Sequence, residues 1–230
     1  MDRGAVYNEF GKYAKHSYNG ICFSFFLPDV YSPGGISGAE PYVVYNFDKI
    51  NEPKIWVEDG KEKKAVREFE YGGDRFKMSY PKFLTSVSSK TDRFTDALIY
   101  AMSILPAAKR SEMVGKYKVI RTDHRFHPHF RRKIYRQKNS YVADLPYGYI
   151  NLYANSKLTL SDRVHACAAT LAFGNSAMLF SKTNRSGLLE RVGASDICSG
   201  PVKLDLDLLA REKNNELEWL RKITLEESGS

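Results

Sequence analysis

The segment KLTLSDRVHACAATLAFGNSAMLF, residues 157–180, predicts the fold class of this 230-residue chain. Two short apolar runs, Lys157–Ser161 and Ala177–Phe180, have the composition of buried strands. Between them, Arg163–Phe173 is rich in small residues and predicts a helix, which Gly174 would end. A strand, a helix and a strand joined by short loops predict a βαβ unit with two parallel strands.

The same alternation of strands and helices continues through most of the chain from residue 91 onward. We predict strands at 117–121 and 140–143, and helices at 91–105, 130–137, 147–154, 186–192 and 204–220. Short loops join these elements. Together they predict an α/β fold, a Rossmann-like parallel sheet flanked by helices, over residues 91–225.

The first ninety residues have a different pattern, dominated by strands and loops. Segments rich in β-forming residues lie at Ile21–Leu27, Tyr42–Phe47 and Ile55–Glu58, and the turn SPGGISG lies at 32–38. We therefore predict a reduced, β-rich N-terminal lobe of mixed α/β structure over residues 1–90. At the other end, EESGS predicts a disordered tail over residues 226–230.

The net charge of +8 comes from one segment of the chain. Residues 116–138 contain nine Lys and Arg and a single Asp, and the remainder is close to neutral. A local basic cluster on a balanced background indicates a site for an anionic ligand. The candidate contacts are Arg121, Arg125, Arg131 and Arg132, and a solvated basic surface is the alternative interpretation.

Several common classes of site and location are not expected. The cysteines at 22, 167 and 198 are odd in number and widely spaced, which argues against a disulfide framework. The three histidines within residues 124–129 fit neither helical nor zinc-finger ligand spacing, so we expect no metal. No apolar run approaches the roughly 20 residues of a transmembrane helix. The N-terminus also lacks a signal-peptide pattern, so we expect a cytoplasmic protein.

Three hydrophilic clusters follow predicted strands, at 121–124, 162–165 and 181–185. Because parallel strands end at one edge of a sheet, where ligands commonly bind, we expect these clusters to converge there. We call this edge the carboxyl edge. Lys182 and Arg185 lie in the third cluster, in a loop suited to holding a phosphate or a nucleotide, and the alternative interpretation is a helix-entry loop with exposed cations.

Arg163 and His165 lie in the first turn of the predicted helix, whose backbone N–H groups attract anions. The arginine could hold a phosphate or carboxylate while the imidazole moves a proton. In the alternative interpretation, Arg163 pairs with Asp162 or with a backbone carbonyl, and His165 is a half-buried structural residue.

The run SDRVHACAATLAFGNSAMLFSKTNRSGLLERVG, residues 161–193, resembles the polysaccharide pyruvyl transferases. The C-terminal domain of that family carries a strand, an S-x-R-[LV]-H-[AG] turn, and a helix that ends near a glycine. A buried strand and a basic residue follow before the next helix. The resemblance implies a glycosyltransferase-B-like lobe. It also implies transfer of a pyruvyl group from phosphoenolpyruvate to two sugar hydroxyls as a ketal, with release of phosphate and without a cofactor.

The resemblance also implies roles for individual residues. His165 would be the acid/base, and Arg185 would bind phosphoenolpyruvate, with Lys182 as the alternative and Arg163 as a further contact. The family uses another arginine from earlier in the chain, for which Arg121 and Arg125 are candidates. The acceptor would be a saccharide, lipid-linked or polymeric.

The chain departs from the family in its N-terminal portion, because ninety residues are too few for a full Rossmann-like domain. We expect either a shortened member or a homo-oligomer in which a second subunit completes the cleft. One alternative function is a glycosyltransferase with a nucleotide-sugar donor on the same scaffold. Another is a non-catalytic module that binds an anionic polysaccharide or RNA through the basic segment, with aromatic residues stacking on bases.

Overall fold

The computed structural model describes residues 3–35, 40–47, 50, 52–58, 65–80, 110–123, 137–183 and 185–228. The helices are α1 Arg3–Phe10, α2 Leu27–Val30, α3 Pro146–Asn155, α4 Val164–Ala172, α5 Gly187–Glu190 and α6 Leu206–Ser228. The strands are β1 Tyr42–Asn46, β2 Lys54–Val57, β3 Arg67–Tyr71, β4 Asp74–Ser79, β5 Met113–Val114, β6 Tyr117–Arg121, β7 Leu158–Ser161 and β8 Ser176–Leu179. Within these residues, no helix combines the length and apolar character needed to cross a bilayer.

The centre of the fold is a five-stranded mixed sheet with the order β5-β6-β1-β7-β8. Strand β1 pairs in parallel with both β6 and β7, and β7 pairs in parallel with β8. Only β5, at the edge of this sheet, runs antiparallel to its neighbour. The predicted unit of strand, helix and strand is confirmed as β7-α4-β8. Gly174 ends α4 with a φ of 76°, a conformation that favours glycine.

Strand β1 is the middle strand of the sheet, although the sequence analysis assigned it to a separate N-terminal lobe. All five of its residues, YVVYN, are buried. A strand that is covered on both faces belongs in the interior of a parallel arrangement rather than at a half-exposed edge. The predicted division at residue 90 is therefore not a boundary between two sheets.

The two faces of the central sheet have different covers among the described elements. Helices α3 and α4 pack on one face, where Leu152 and Ala166 belong to a cluster with Val44 of β1. On the other face lies a three-stranded antiparallel sheet with the order β2-β4-β3. Its residue Phe76 packs in a second cluster with Val43 of the same strand. Successive residues of β1 thus serve opposite layers, as strand geometry requires.

Three predictions about local structure were wrong. The segment predicted as a strand at 21–27 forms a 3-10 turn, Phe23–Phe26, and then α2. Ile21, Cys22 and Phe25 are all buried in one cluster with residues of α4, whereas a strand would place the neighbours Ile21 and Cys22 on opposite faces. Of the strand predicted at 140–143, only Ser140 pairs, in an isolated bridge with Arg121, and α6 continues to Ser228 through most of the predicted tail. The predicted helix at 91–105 lies outside the described residues, and so does the predicted helix at 130–137 apart from its last residue, Gln137.

Candidate functional site

The carboxyl ends of β1, β6 and β7 are joined by the side chain of Asn46. Its Nδ2 donates a hydrogen bond to the carbonyl of Thr122, just after β6 (3.1 Å), and its Oδ1 accepts one from Ser161 Oγ at the end of β7 (3.0 Å). All three residues are fully buried. The chain leaves β1 toward the three-stranded sheet and leaves β7 toward α4, on the opposite face. A crevice where neighbouring strands diverge in this way is the usual ligand site of α/β sheets.

Asp162 ties together the loops that follow three strands at this edge. Its Oδ2 accepts a hydrogen bond from the backbone N–H of Ile50, after β1 (2.8 Å). Its carbonyl accepts one from Ser181 Oγ, after β8 (3.1 Å). The hydrophilic clusters at 162–165 and 181–185 therefore begin side by side at the carboxyl edge, as the sequence analysis expected.

The start of α4 presents Arg163 and His165. Arg163 is the N-cap residue, and its backbone N–H donates to Ser161 Oγ (2.9 Å). His165 lies in the first turn of the helix and is exposed, whereas the residues after it are buried. The small side chains of α4 let the helix pack closely on the sheet. The imidazole lies at the carboxyl edge, because α4 begins there, and it is exposed to solvent.

Cys22 is a partner of His165 that the sequence analysis missed. The thiol lies just before the 3-10 turn at 23–26, in the same buried cluster as Val164 at the start of α4, and donates a hydrogen bond to Ser24 Oγ at 3.4 Å. Burial raises the pKa of Cys22, but the neighbouring His165 imidazole and the Ser24 hydroxyl outweigh burial, and the pKa falls to about 7. No local pattern in the sequence could reveal a contact between residues so far apart.

Lys182 and Arg185 are exposed in the loop between β8 and α5. Burial raises the pKa of Cys198, and the positive charges of Arg67 and Lys182 partly offset that rise. The backbone N–H of Arg185 donates to Thr183 Oγ1 (3.2 Å). Neither cation forms an ion pair with a carboxylate of the described residues, so both charges face solvent at this edge.

Arg121 is placed differently from the other predicted cations. Its guanidinium is buried, and Glu52 accepts hydrogen bonds from Nε at 3.0 and 3.1 Å and from Nη2 at 2.8 Å. Its Nη1 donates to the Ser111 carbonyl (2.8 Å), and its guanidinium carbon lies 5.4 Å from the centre of the Tyr45 ring. A ligand would have to displace Glu52 to reach it. We therefore remove Arg121 from the anion site and assign it a structural role.

Arg125, Arg131 and Arg132 lie outside the described residues, as do the three histidines within 124–129. In the ranges that the structure describes, no three His, Cys, Asp or Glu side chains are grouped as ligands for a metal ion.

A pocket of about 430 Å³ lies between the N-terminal segment and α6. Its wall includes Phe23 and Trp219, and the Trp219 ring stacks on Tyr18 with 5.2 Å between centroids. The buried carboxylate of Glu216 accepts a hydrogen bond from the Ile21 N–H (2.8 Å). The pocket borders the segment that carries Cys22, but it is not lined by His165 or by the predicted cations.

No protein-family profile, curated protein sequence or solved structure matches this chain. The function of the protein is therefore inferred from the candidate site. The site consists of His165 in the first turn of α4 with Cys22 near it, and of three cations at the carboxyl edge, Arg163, Lys182 and Arg185.

Proposed function

We propose that this protein is a pyruvyl transferase-like enzyme with a glycosyltransferase-B-like lobe. It transfers the pyruvyl group of phosphoenolpyruvate to two hydroxyls of a saccharide as a ketal and releases phosphate. The observation that carries this proposal is the exposed imidazole of His165 in the first turn of α4, beside a loop with two exposed cations. Such an edge offers both an anion site and a group that transfers protons.

Phosphoenolpyruvate carries a carboxylate and a phosphate, so its donor site needs several positive groups. Lys182 and Arg185 have no carboxylate partner in the described part of the chain, so they can bind an anion without first breaking an ion pair. Arg163 lies at the N-cap of α4, and the backbone N–H groups of the first turn add partial positive charge. These groups come from two adjacent loops and can hold both ends of a small dianionic or trianionic molecule.

The reaction moves two protons, and His165 is suited to carry the first. One acceptor hydroxyl adds to C2 of the enol, its proton is taken up by the imidazole, and C3 is protonated to a methyl group. The second hydroxyl then adds to C2 as the C2–O bond to phosphate breaks, and its proton leaves with the phosphate. The acceptor loses two protons, and the methyl group and phosphate gain one each.

Thermal unfolding with phosphoenolpyruvate tests the donor site. Occupancy at about 100 times the dissociation constant adds roughly 2.7 kcal/mol, which raises the Tm by roughly 5–11 °C for a chain of this size. We expect this shift in the wild type and in the control variant Arg211→Ala. This variant removes an exposed arginine on α6 rather than one on the loop between β8 and α5. We expect it to be lost in Arg185→Ala.

The ligand controls separate this function from its alternatives. Inorganic phosphate alone should give a smaller shift than phosphoenolpyruvate, because it lacks the carboxylate. A larger shift with a UDP- or GDP-sugar would instead indicate a nucleotide-sugar donor. The absence of any shift with phosphoenolpyruvate would refute the proposal.

A further inference from the structure

We propose that the pocket between the N-terminal segment and α6 binds a small organic ammonium ion. The carboxylate of Glu216 would be its counter-ion, and aromatic rings would surround the apolar part of the ligand. This inference goes beyond pyruvyl transfer and does not rest on it. The described lining of the pocket shares no residue with the candidate site at the carboxyl edge.

The pocket has the size and the character of a small-molecule site. Its volume of about 430 Å³ lies within the range of roughly 300–1,000 Å³ that is usual for ligand pockets. Walls of aromatic and apolar side chains with a few polar groups are also typical of such pockets. Five aromatic side chains contribute to the wall here: Tyr7, Phe10, Tyr18, Phe23 and Trp219.

Glu216 places a negative charge in the wall of this pocket. The residue is only 6% exposed, so its carboxylate has lost most of its contact with bulk water. Its Oε2 accepts the hydrogen bond from the Ile21 N–H (2.8 Å), and no Lys or Arg of the described ranges forms an ion pair with it. A buried carboxylate with a single neutral donor is less favourable than one that is also paired with a cation. The pocket therefore offers an incoming cation a charge that the described protein groups do not neutralise.

Two cations that lie close to this region of the fold are engaged elsewhere. Lys213, one helical turn before the buried carboxylate on α6, pairs with Asp29 instead. Arg191 pairs with Glu212, with 2.6 Å from Nε to Oε2. The Arg191 guanidinium carbon also lies 5.6 Å from the centre of the Tyr18 ring, which shows that an aromatic ring of the pocket wall already attracts a cation.

The surrounding backbone fixes the carboxylate and the rings in place. A Cβ on Gly20 would lie 2.6 Å from Oε1 and 2.9 Å from Oε2 of Glu216, so the main chain approaches the carboxylate closely. Trp219 follows Glu216 by three residues on α6, a spacing that places both side chains on one side of the helix. Its ring stacks on Tyr18 with 5.2 Å between centroids. A ligand would therefore find the charge and the aromatic surface already arranged.

This combination favours an ammonium ion that carries an apolar substituent. Ammonium N–H groups donate charge-assisted hydrogen bonds to a carboxylate, and the faces of aromatic rings attract cations. An anion such as phosphoenolpyruvate would be repelled by Glu216. A neutral saccharide could stack on the rings, but it would leave the carboxylate without a counter-ion.

The test is isothermal titration calorimetry of the full-length protein at about pH 8, where an alkylammonium ion is charged and a free imidazole is neutral. Three ligands share a phenylalkyl group and differ in charge: phenethylammonium, 2-phenylethanol and 3-phenylpropionate. We expect phenethylammonium to bind at least about tenfold more tightly than the alcohol, because its hydrogen bond to the carboxylate is charge-assisted. We expect no saturable binding of 3-phenylpropionate.

Variants of two glutamates on α6 decide whether the buried carboxylate is the cause. Glu216→Gln removes the charge but keeps an oxygen that can accept the hydrogen bond from the Ile21 N–H. The preference for the ammonium over the alcohol should fall to about twofold or less in this variant. Glu218→Gln, the matched control, removes an exposed carboxylate outside the pocket lining and should keep the wild-type preference. Binding of the alcohol should be similar in all three proteins, which checks that the pocket is still formed.

The comparison of ligands on the wild type does not depend on the folding of any variant. The inference would be overturned if phenethylammonium did not bind, or if the alcohol or 3-phenylpropionate bound as tightly. A preference for the ammonium that persisted in Glu216→Gln would overturn it as well. Tighter binding of a methyl glucoside than of phenethylammonium would assign the pocket to a saccharide instead. None of these ligands carries a phosphate or an enolpyruvyl group, so a failure here is distinguishable from a failure of the proposed function.

Discussion

Replacing Glu52 with alanine should destabilise the protein strongly, because it leaves the Arg121 guanidinium buried without its counter-ion. Only 2% of the Arg121 side chain and 9% of the Glu52 side chain are exposed. The carboxylate accepts hydrogen bonds from both Nε and Nη2 of Arg121. Without it, the remaining described hydrogen bond from this side chain is the one to the Ser111 carbonyl.

The expected loss in the free energy of unfolding is about 3–5 kcal/mol, the range for a buried ion pair from which one partner is removed. Two charges about 4 Å apart interact by about 4 kcal/mol at an effective dielectric constant of 20, which agrees with that range. For a chain of this length, such a loss lowers the Tm by roughly 6–20 °C.

Arg110→Ala is the matched control for this prediction. Arg110 Nη1 binds the same carboxylate, with 2.5 Å to Glu52 Oε2, but its side chain is 39% exposed. Solvent screens an exposed ion pair, so this variant should lose less than about 1 kcal/mol. Urea unfolding followed by tryptophan fluorescence would measure both variants. The double variant Glu52→Ala/Arg121→Met should recover part of the loss, because no charge is then buried.

A small effect of Glu52→Ala, equal to that of Arg110→Ala, would refute this reasoning. It would mean that water or another group solvates Arg121 once the carboxylate is gone. Arg121 would then return as a candidate for binding the anionic donor.

The remaining predictions concern packing, a buried hydroxyl and pH. Gly20→Ala would place a Cβ 2.6 Å from Glu216 Oε1 and should cost about 1–3 kcal/mol in urea unfolding, whereas Gly200→Ala, which meets no atom within 4 Å, should be near neutral. Thr170→Val removes a hydroxyl that lies 2.7 Å from a β7 hydroxyl and should cost about 1 kcal/mol by the same measurement. The pKa of Cys22 is lowered to about 7 in the folded protein, so its thiolate should stabilise the fold above the unfolded pKa of about 8.5, and that contribution should be lost as pH falls through 7. A stability difference between wild type and Cys22→Ser that is independent of pH would contradict this last prediction.

Local patterns predicted the elements that carry their own start and stop signals. The unit β7-α4-β8 is an example, because its apolar runs are short and Gly174 ends the helix. The position of β1 in the sheet was not predictable in this way, since its two neighbours come from residues 117–121 and 158–161. The segment at 21–27 failed for another reason. A short apolar run fits a strand or a buried turn equally well, and only contact with α4 decides between them.

In the candidate site too, local features of the sequence were predictable and contacts between distant segments were not. Arg163 and His165 could be placed at the start of a helix from sequence, because the strand before them and the helix after them are both local features. The Cys22 contact and the Glu52 partner of Arg121 both join distant segments. Composition identified the basic residues of this chain but could not show which of them had a buried carboxylate beside it.

Burial, rather than position in the sequence, therefore determines which cations of the carboxyl edge are available to bind an anion. Arg121 could be buried only because Glu52 neutralises it, since an unpaired guanidinium in the interior is strongly unfavourable. That pairing makes Arg121 a poor ligand for an incoming anion, which would have to compete with a carboxylate already in place. Lys182 and Arg185 are exposed to solvent, so binding a carboxylate or phosphate costs them far less desolvation. An anionic substrate at this edge should consequently be held by the exposed loop after β8 and by the first turn of α4, where His165 stands.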